Sequence, residues 1–314
     1  MSFSINIKPI AEFKLIHISN ESTGQYIAIS TKGGLLNSWI QPNSGGNFDI
    51  IDGNNFNEGW GNFEANGFKS GKMNPFSCRL QNGKYTHESI SYSIEKFYLG
   101  EHAIHGVLYD ALFEIEHTES SDDKASVLLK FDYKKMDNGF PFDFTIQIKW
   151  IFEKGNKVIV CTSITNNGQE SIPMMDGWHP YFKLGESIND CTIQFYNKGI
   201  LEYNKDLIPT GNLIPNNDYE TPKNLIGIEL DNGFLVDESN PNCILENDNY
   251  KLVVTPDCNY SYLQLYTPPS RKSLAIENLS AAPDCFNNKM GLQIMQPHEV
   301  WTLTTQFQLF NKKL

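Results

Sequence analysis

The sequence predicts an all-β protein of packed antiparallel sheets, a large sandwich or barrel, and three observations predict it. Apolar residues recur with a period of two. Asn-Gly, Gly-Gly and Asn-Asn-Gly clusters punctuate the runs between them. No stretch carries the apolar stripe of an amphipathic helix three turns long. Successive side chains of a strand point to opposite faces, so alternation marks strands with one buried face. Short strands of this kind must pair and stack to cover that face.

The elements follow in order. Residues 25–31 form a β-rich run. Residues 43–66 are Asn-rich and loose, but Phe48, Phe56, Trp60 and Phe63 argue for an ordered loop. Gln81-Asn82-Gly83-Lys84 has the composition of a hairpin turn. Val127, Leu129, Phe131 and Tyr133 share one strand face, and residues 144–150 alternate apolar and polar without a fault. Residues 157–166 continue the pattern up to the turn signal Asn166-Asn167-Gly168. Residues 260–267 and the row Trp301, Leu303, Phe307 and Leu309 complete it. No linker, charge block, repeat or low-complexity tract divides the chain, so residues 1–314 are expected to form a single domain.

Bulk composition excludes several partners. The 314 residues carry a net charge of −12, and the pI is about 5.0. A nucleic-acid groove needs clustered Lys and Arg, so no nucleic-acid partner is expected. Arg79 and Arg271 are the only arginines, which disfavours recognition of a phosphate by several guanidinium groups. No apolar run approaches the ~20 residues of a membrane span. The N-terminus shows neither the basic nor the apolar region of a secretory signal. Six cysteines are scattered without Cys-x-x-Cys spacing. They read as reduced thiols of a cytoplasmic protein rather than a zinc knuckle or a disulfide framework.

Five places could carry chemistry. In Asp176-Gly177-Trp178-His179-Pro180-Tyr181-Phe182, the proline bars helix at His179 and holds it extended. An imidazole able to carry a proton near neutrality then stands among aromatic rings, which suit the C–H faces of a sugar; a histidine packed in an aromatic core would read the same. In the segment from Ser273 to Asn287, Leu274 and Ile276 share one strand face and Glu277 opens the other at the strand's end. There it is a candidate general base, its pKa raised by apolar neighbours, or a solvated edge glutamate. His105 precedes Gly106, which lets the backbone pass close to a ligand. His102 lies three residues earlier, an odd separation that points to the opposite face and speaks against a shared metal. Arg79 precedes the Asn82-Gly83 turn with a donor fork suited to hydroxyls or a carboxylate, and Asp231 in Leu230-Asp231-Asn232-Gly233 could accept hydrogen bonds from hydroxyls. No Gly-x-Gly-x-x-Gly, Walker or Gly-x-Ser-x-Gly motif appears.

Taken in order, these motifs resemble the aldose 1-epimerase (galactose mutarotase-like) family from about residue 25 to residue 309. Asn74 to Tyr85 resembles its early arginine motif, Ile104-His105-Gly106 its first histidine motif, and Trp178-His179-Pro180-Tyr181-Phe182 its second. Leu230-Asp231 resembles its sugar-binding aspartate. Ile276-Glu277 followed by Pro283-Asp284 and Asn287 resembles its catalytic glutamate motif. The resemblance implies the family's supersandwich with a cleft over one sheet, no metal and no cofactor. It implies an isomerase that interconverts sugar anomers, as a monomer or homodimer. Glu277 would act as base and His179 as acid, with Arg79, His105 and Asp231 binding the sugar. One departure is Gln296-Pro297-His298-Glu299, where the family's Pro-Gly-Glu turn would have glycine in place of His298. A hexose-6-phosphate 1-epimerase would want more cations, and a non-catalytic sugar-binding protein would need neither Glu277 nor His179. A glycosidase would usually need a second carboxylate.

Overall fold

The computed structural model describes residues 2–43, 45–56 and 67–312, so Trp60 and Phe63 of the Asn-rich stretch lie outside the described residues. Every strand pairing within the sheets is antiparallel. A nine-stranded sheet runs in the order Glu114–Ser120, Lys124–Lys134, Asp143–Glu153, Lys157–Asn166, Val300–Asn311, Tyr250–Pro256, Cys243–Glu246, Thr192–Phe195 and Lys223–Asn224. Its central strands alternate buried and half-buried residues along their length, as at Asp143–Glu153. Period two therefore describes these residues as well as it describes their sequence.

A second, eight-stranded sheet packs against the first. Its order is Pro209–Ile214, Asn197–Tyr203, Asp231–Val236, Tyr262–Tyr266, Leu274–Leu279, Gly177–Trp178 and Lys72–Met73, with Tyr181–Phe182 also paired to Leu274–Leu279. Aromatic side chains fill the space between the two sheets. Phe182 meets Phe307 at 5.4 Å between ring centroids, Trp178 meets Trp150 at 5.3 Å, and Phe195 meets Phe234 at 4.8 Å. Each fully buried side chain of this size contributes about 1.5–3 kcal/mol. A five-stranded N-terminal meander, Phe3 to Asp49, docks beside them through Phe3 on Phe152 and Trp39 Nε1–H to Asn156 Oδ1. The buried apolar residues form one contiguous cluster from Phe3 to Leu309.

One sequence expectation needs correction, and a second turn behaves in the same way. The Asn82-Gly83 turn exists, with both residues at positive φ, but it closes no hairpin. Arg79–Leu80 pairs with His102–Ile104, and Lys84–His87 pairs with Ile90–Ser93. The turn is a corner between two small sheets. Likewise Asn166 Oδ1 accepts the Gly168 N–H in a side-chain turn, yet the next strand, Ile172–Met174, leaves to pair with Gln293–Met295. Turn chemistry is local, whereas pairing is set by which faces can be buried. The single α-helical turn among the described residues is Cys285–Asn288. Among the described residues no helix is long and apolar enough to cross a membrane.

Candidate active site

The eight-stranded sheet places the site through its register. Gly177 lies opposite Leu279 and Tyr181 opposite Ala275, so His179, in the extended break between the two short strands, faces Glu277. Pro180 O accepts the Ile276 N–H and seals that junction. On the other side Glu277 lies opposite Gln264, and Gln264 opposite Gly233. One row across the sheet therefore reads His179, Glu277, Gln264, Gly233. Asp231 sits two residues farther along its strand, opposite Tyr266. Glu277 stands within Leu274–Leu279 rather than at its end, because the strand continues through Asn278 and Leu279.

All five residues singled out by the sequence, Arg79, His105, His179, Asp231 and Glu277, line one cavity of about 280 Å³. His179 Nε2 lies 3.4 Å from Glu277 Oε1. The two residues are 5 % and 1 % exposed, so neither is a surface group. The His105 ring meets the His179 ring edge-on at 5.1 Å, and the Tyr181 ring stacks on the other side of His179 at 4.9 Å. Tyr181 is fixed in turn by its hydroxyl, which donates to Gly67 O at 2.9 Å. Arg79 and His105 are held together by pairing of Arg79 with Ile104 and by the His105 N–H donating to Cys78 O. His105 itself has a φ of 58°.

Gly106 is required by backbone rather than by ligand. A Cβ there would fall 2.1 Å from Asn74 O, and its φ is +79°. The expected close approach is therefore to the Asn74 segment. His102 accepts the Asn82 N–H at its Nδ1, 3.0 Å away, and does not line the cavity. Among the described residues no group of three or more His, Cys, Asp or Glu side chains gathers as a metal site. Trp178 points to the opposite face from its neighbour, into the space between the sheets, and is 4 % exposed.

Burial sets the electrostatics. Loss of water pushes the Glu277 carboxyl well above its ordinary range, with the Asp231 charge adding to the effect. The same loss of water pulls His179 down to about 4. It drives His105 well below the ordinary imidazole value, helped by His179 and Arg79. Asp231 keeps an exposed side chain at the mouth. The protein around it still raises its carboxyl through loss of water, against the lowering by Arg79 and by the Gln264 amide. Three buried polar atoms of cavity-lining residues, Glu277 Oε2, His105 Nδ1 and His179 Nδ1, have no hydrogen-bond partner. Leaving such atoms unpaired costs about 1–3 kcal/mol each, so the cavity is arranged for a polar ligand.

The structure adds residues that sequence reasoning missed. The Tyr203 hydroxyl donates to Gln264 Oε1 at 3.0 Å, and Gln264 Nε2 donates to Asp231 Oδ1 at 2.9 Å. This chain fixes the Asp231 carboxylate on the cavity rim. Phe68, Tyr266 and Cys78 also line the wall. The signal for Gln264 was present: it is the lone amide on a strand face otherwise built of Tyr262 and Tyr266. The other arginine, Arg271, is spent on structure, donating to Asn189 Oδ1 and to the carbonyls of Ile228 and Leu225.

Solved structures share this architecture. A galactose mutarotase-like protein from Clostridium acetobutylicum superposes with a TM-score of 0.87, at 18% identity over 99% of both chains. Galactose 1-epimerase from Lactobacillus acidophilus gives 0.81, at 15% identity over 98% of both chains. An aldose epimerase homologue from C. elegans gives 0.79, at 17% identity over 92% of this chain and 96% of its own. These likenesses establish the galactose mutarotase-like fold. Among curated proteins a sequence search finds no match. The family model for aldose 1-epimerase, however, matches residues 14–308, nearly the whole length, and the chain belongs to the aldose 1-epimerase family.

Proposed function

We propose that this protein is an aldose 1-epimerase that interconverts the α and β anomers of a free hexose or related aldose. The observation that carries the proposal is the buried opposition of His179 and Glu277 at 3.4 Å in one cavity. Ring opening needs a base at the anomeric hydroxyl and an acid at the ring oxygen. Glu277 takes the proton from O1 as the C1–O5 bond breaks and C1=O1 forms. His179 gives its proton to O5. The aldehyde turns about C1–C2, O5 adds to the other face of C1, and the two protons return. Mutarotation already proceeds in water, and a positioned acid or base is typically worth about 10²–10⁴ in rate.

The pair holds one proton throughout. Ring opening starts from the form of the pair with that proton on His179 and Glu277 ionised. With the ring open both are uncharged. Burial raises Glu277 and lowers His179, so the uncharged form of the pair is favoured in both ring states and the ion-pair form that opens the ring is its minor tautomer.

Arg79, His105 and Asp231 hold the hydroxyls in this reading. Among the described residues Arg79 is the one lysine or arginine on the cavity wall, and Arg271 is committed to backbone carbonyls. This favours an uncharged sugar over a 6-phosphate. One continuous apolar core supports a single domain over 1–314, and six unpaired cysteines accord with a cytoplasmic setting. The test is exchange of α and β anomers, followed by polarimetry across free and 6-phosphorylated aldoses. The reading expects acceleration for at least one free aldose and little for its 6-phosphate. Acceleration confined to 6-phosphates would reverse the substrate assignment.

A further inference from the structure

Behind the cavity, on the other face of the same sheet, lies an ion pair with no exposed surface. Lys72 Nζ is 2.5 Å from Asp176 Oδ2. Lys72 also donates to Thr162 Oγ1 of the nine-stranded sheet at 3.2 Å, and its ammonium lies 4.1 Å from the Trp178 ring centroid. Asp176 Oδ2 accepts the Tyr260 hydroxyl at 2.8 Å, and Asp176 Oδ1 accepts from Asn74 Nδ2 at 3.4 Å. Asp176 also joins the neighbouring backbone: its N–H donates to Ser280 Oγ at 2.8 Å, and its carbonyl accepts the Ser280 N–H at 2.9 Å.

The partners Asp176, Ser280 and Asn74 tie the pair to segments that carry cavity residues. Asp176 is three residues before His179, and Ser280 is three residues after Glu277. Asn74 O accepts the Val107 N–H at 2.9 Å, and the Asn74 backbone presses on Gly106, next to His105. Gly177 allows the crowding: a Cβ there would meet Leu279 Cδ2 at 2.7 Å. A buried ion pair is a poor source of stability, since apolar replacements of similar volume are often neutral or stabilising. Its attested use is to select one register. Burial draws the Lys72 ammonium down to about 8, against the pull of Asp176.

We infer that the Lys72–Asp176 pair is a positioning device that locks the segments bearing His105, His179 and Glu277 into the register where His179 faces Glu277. It touches no substrate and acts through the backbone. Its consequence for turnover rests on the anomer-interconversion reading; its consequence for His179 does not.

The test is Lys72→Met/Asp176→Asn, which removes both charges and keeps an acceptor for Tyr260. Three quantities are measured: the melting transition, kcat and KM for anomer exchange, and the His179 ring resonances with their titration midpoint by NMR. The expected result is a cooperatively folded protein with kcat down at least about ten-fold. KM should stay within about two-fold, and the His179 resonances should be displaced. A folded double variant with wild-type kcat and unmoved His179 resonances would overturn the inference. If the double variant does not fold, Tyr260→Phe removes one hydroxyl from Asp176. It should lower kcat about three-fold with a smaller shift of the same resonances, and wild-type behaviour there would overturn the inference equally. Should the wild-type protein accelerate no aldose, the functional reading fails, and the His179 resonances alone decide the positioning.

Discussion

His179 Nε2 and Glu277 Oε1 face each other across 3.4 Å, brought there by a register that sets residue 179 opposite 277. Both side chains are buried, and burial moves their proton affinities in opposite directions. Glu277→Gln keeps the shape and removes the base. Anomer exchange should fall by about 10²–10⁴, while calorimetry shows sugar binding within a few-fold of wild type. Near-full activity in the variant would remove Glu277 from the base role.

The same substitution has a stability signature. The folded-state pKa of Glu277 is raised above its ordinary 4.5. Its contribution is therefore fully present below 4.5 and is lost as pH rises through the folded value. Glutamine does not titrate. The melting temperature of Glu277→Gln relative to wild type should climb steadily above pH 4.5. A difference that narrows with rising pH would contradict the burial argument.

His179→Asn should lower kcat by about 10²-fold or more and the sugar affinity by only a few-fold. The opposite pattern would make His179 a binding residue. The pH profile reports the same group: because burial lowers His179 from 6.5 to about 4, the acid limb of kcat/KM should lie near 4. The alkaline limb belongs to the raised Glu277. An acid limb left at 6.5 would show a hydrated imidazole.

Gln264→Leu breaks the chain from Tyr203 to Asp231. Loss of a donor to a carboxylate costs roughly 1–3 kcal/mol, so KM should rise about ten-fold with a smaller change in kcat. Steady-state kinetics on the preferred aldose separates the two.

His298 stands at a φ of 64°, where the family's turn would have glycine. A side chain in this left-handed region costs roughly 1–2 kcal/mol, partly offset by the unfolded-state entropy of glycine. His298→Gly should stabilise by about 0.5–1 kcal/mol in denaturant unfolding and leave activity unchanged.

Much of this was legible in the sequence, for identifiable reasons. The long strands of the nine-stranded sheet obey period two because one face is buried along their whole length. The motif residues Arg79, His105, His179, Asp231 and Glu277 were legible singly. Their convergence was not, because it depends on strand pairing between segments about 100 residues apart. The fate of Trp178 was within reach: neighbours on extended backbone face opposite ways, so a His179 in the cavity sends Trp178 into the core. The hairpin expectation at Asn82-Gly83 failed because turn residues report a bend and not the partner of the next strand. Lys72 gave no signal at all, since a lysine beside Gly71 reads as a solvated loop until Asp176 is placed against it.

NMR exchange between α and β anomers, measured for wild type and Glu277→Gln side by side, tests the central claim most directly. The account predicts that wild type accelerates exchange of at least one free aldose and that Glu277→Gln loses most of that acceleration while still binding the sugar. Binding without acceleration by the wild-type protein, or equal acceleration by both, would contradict it.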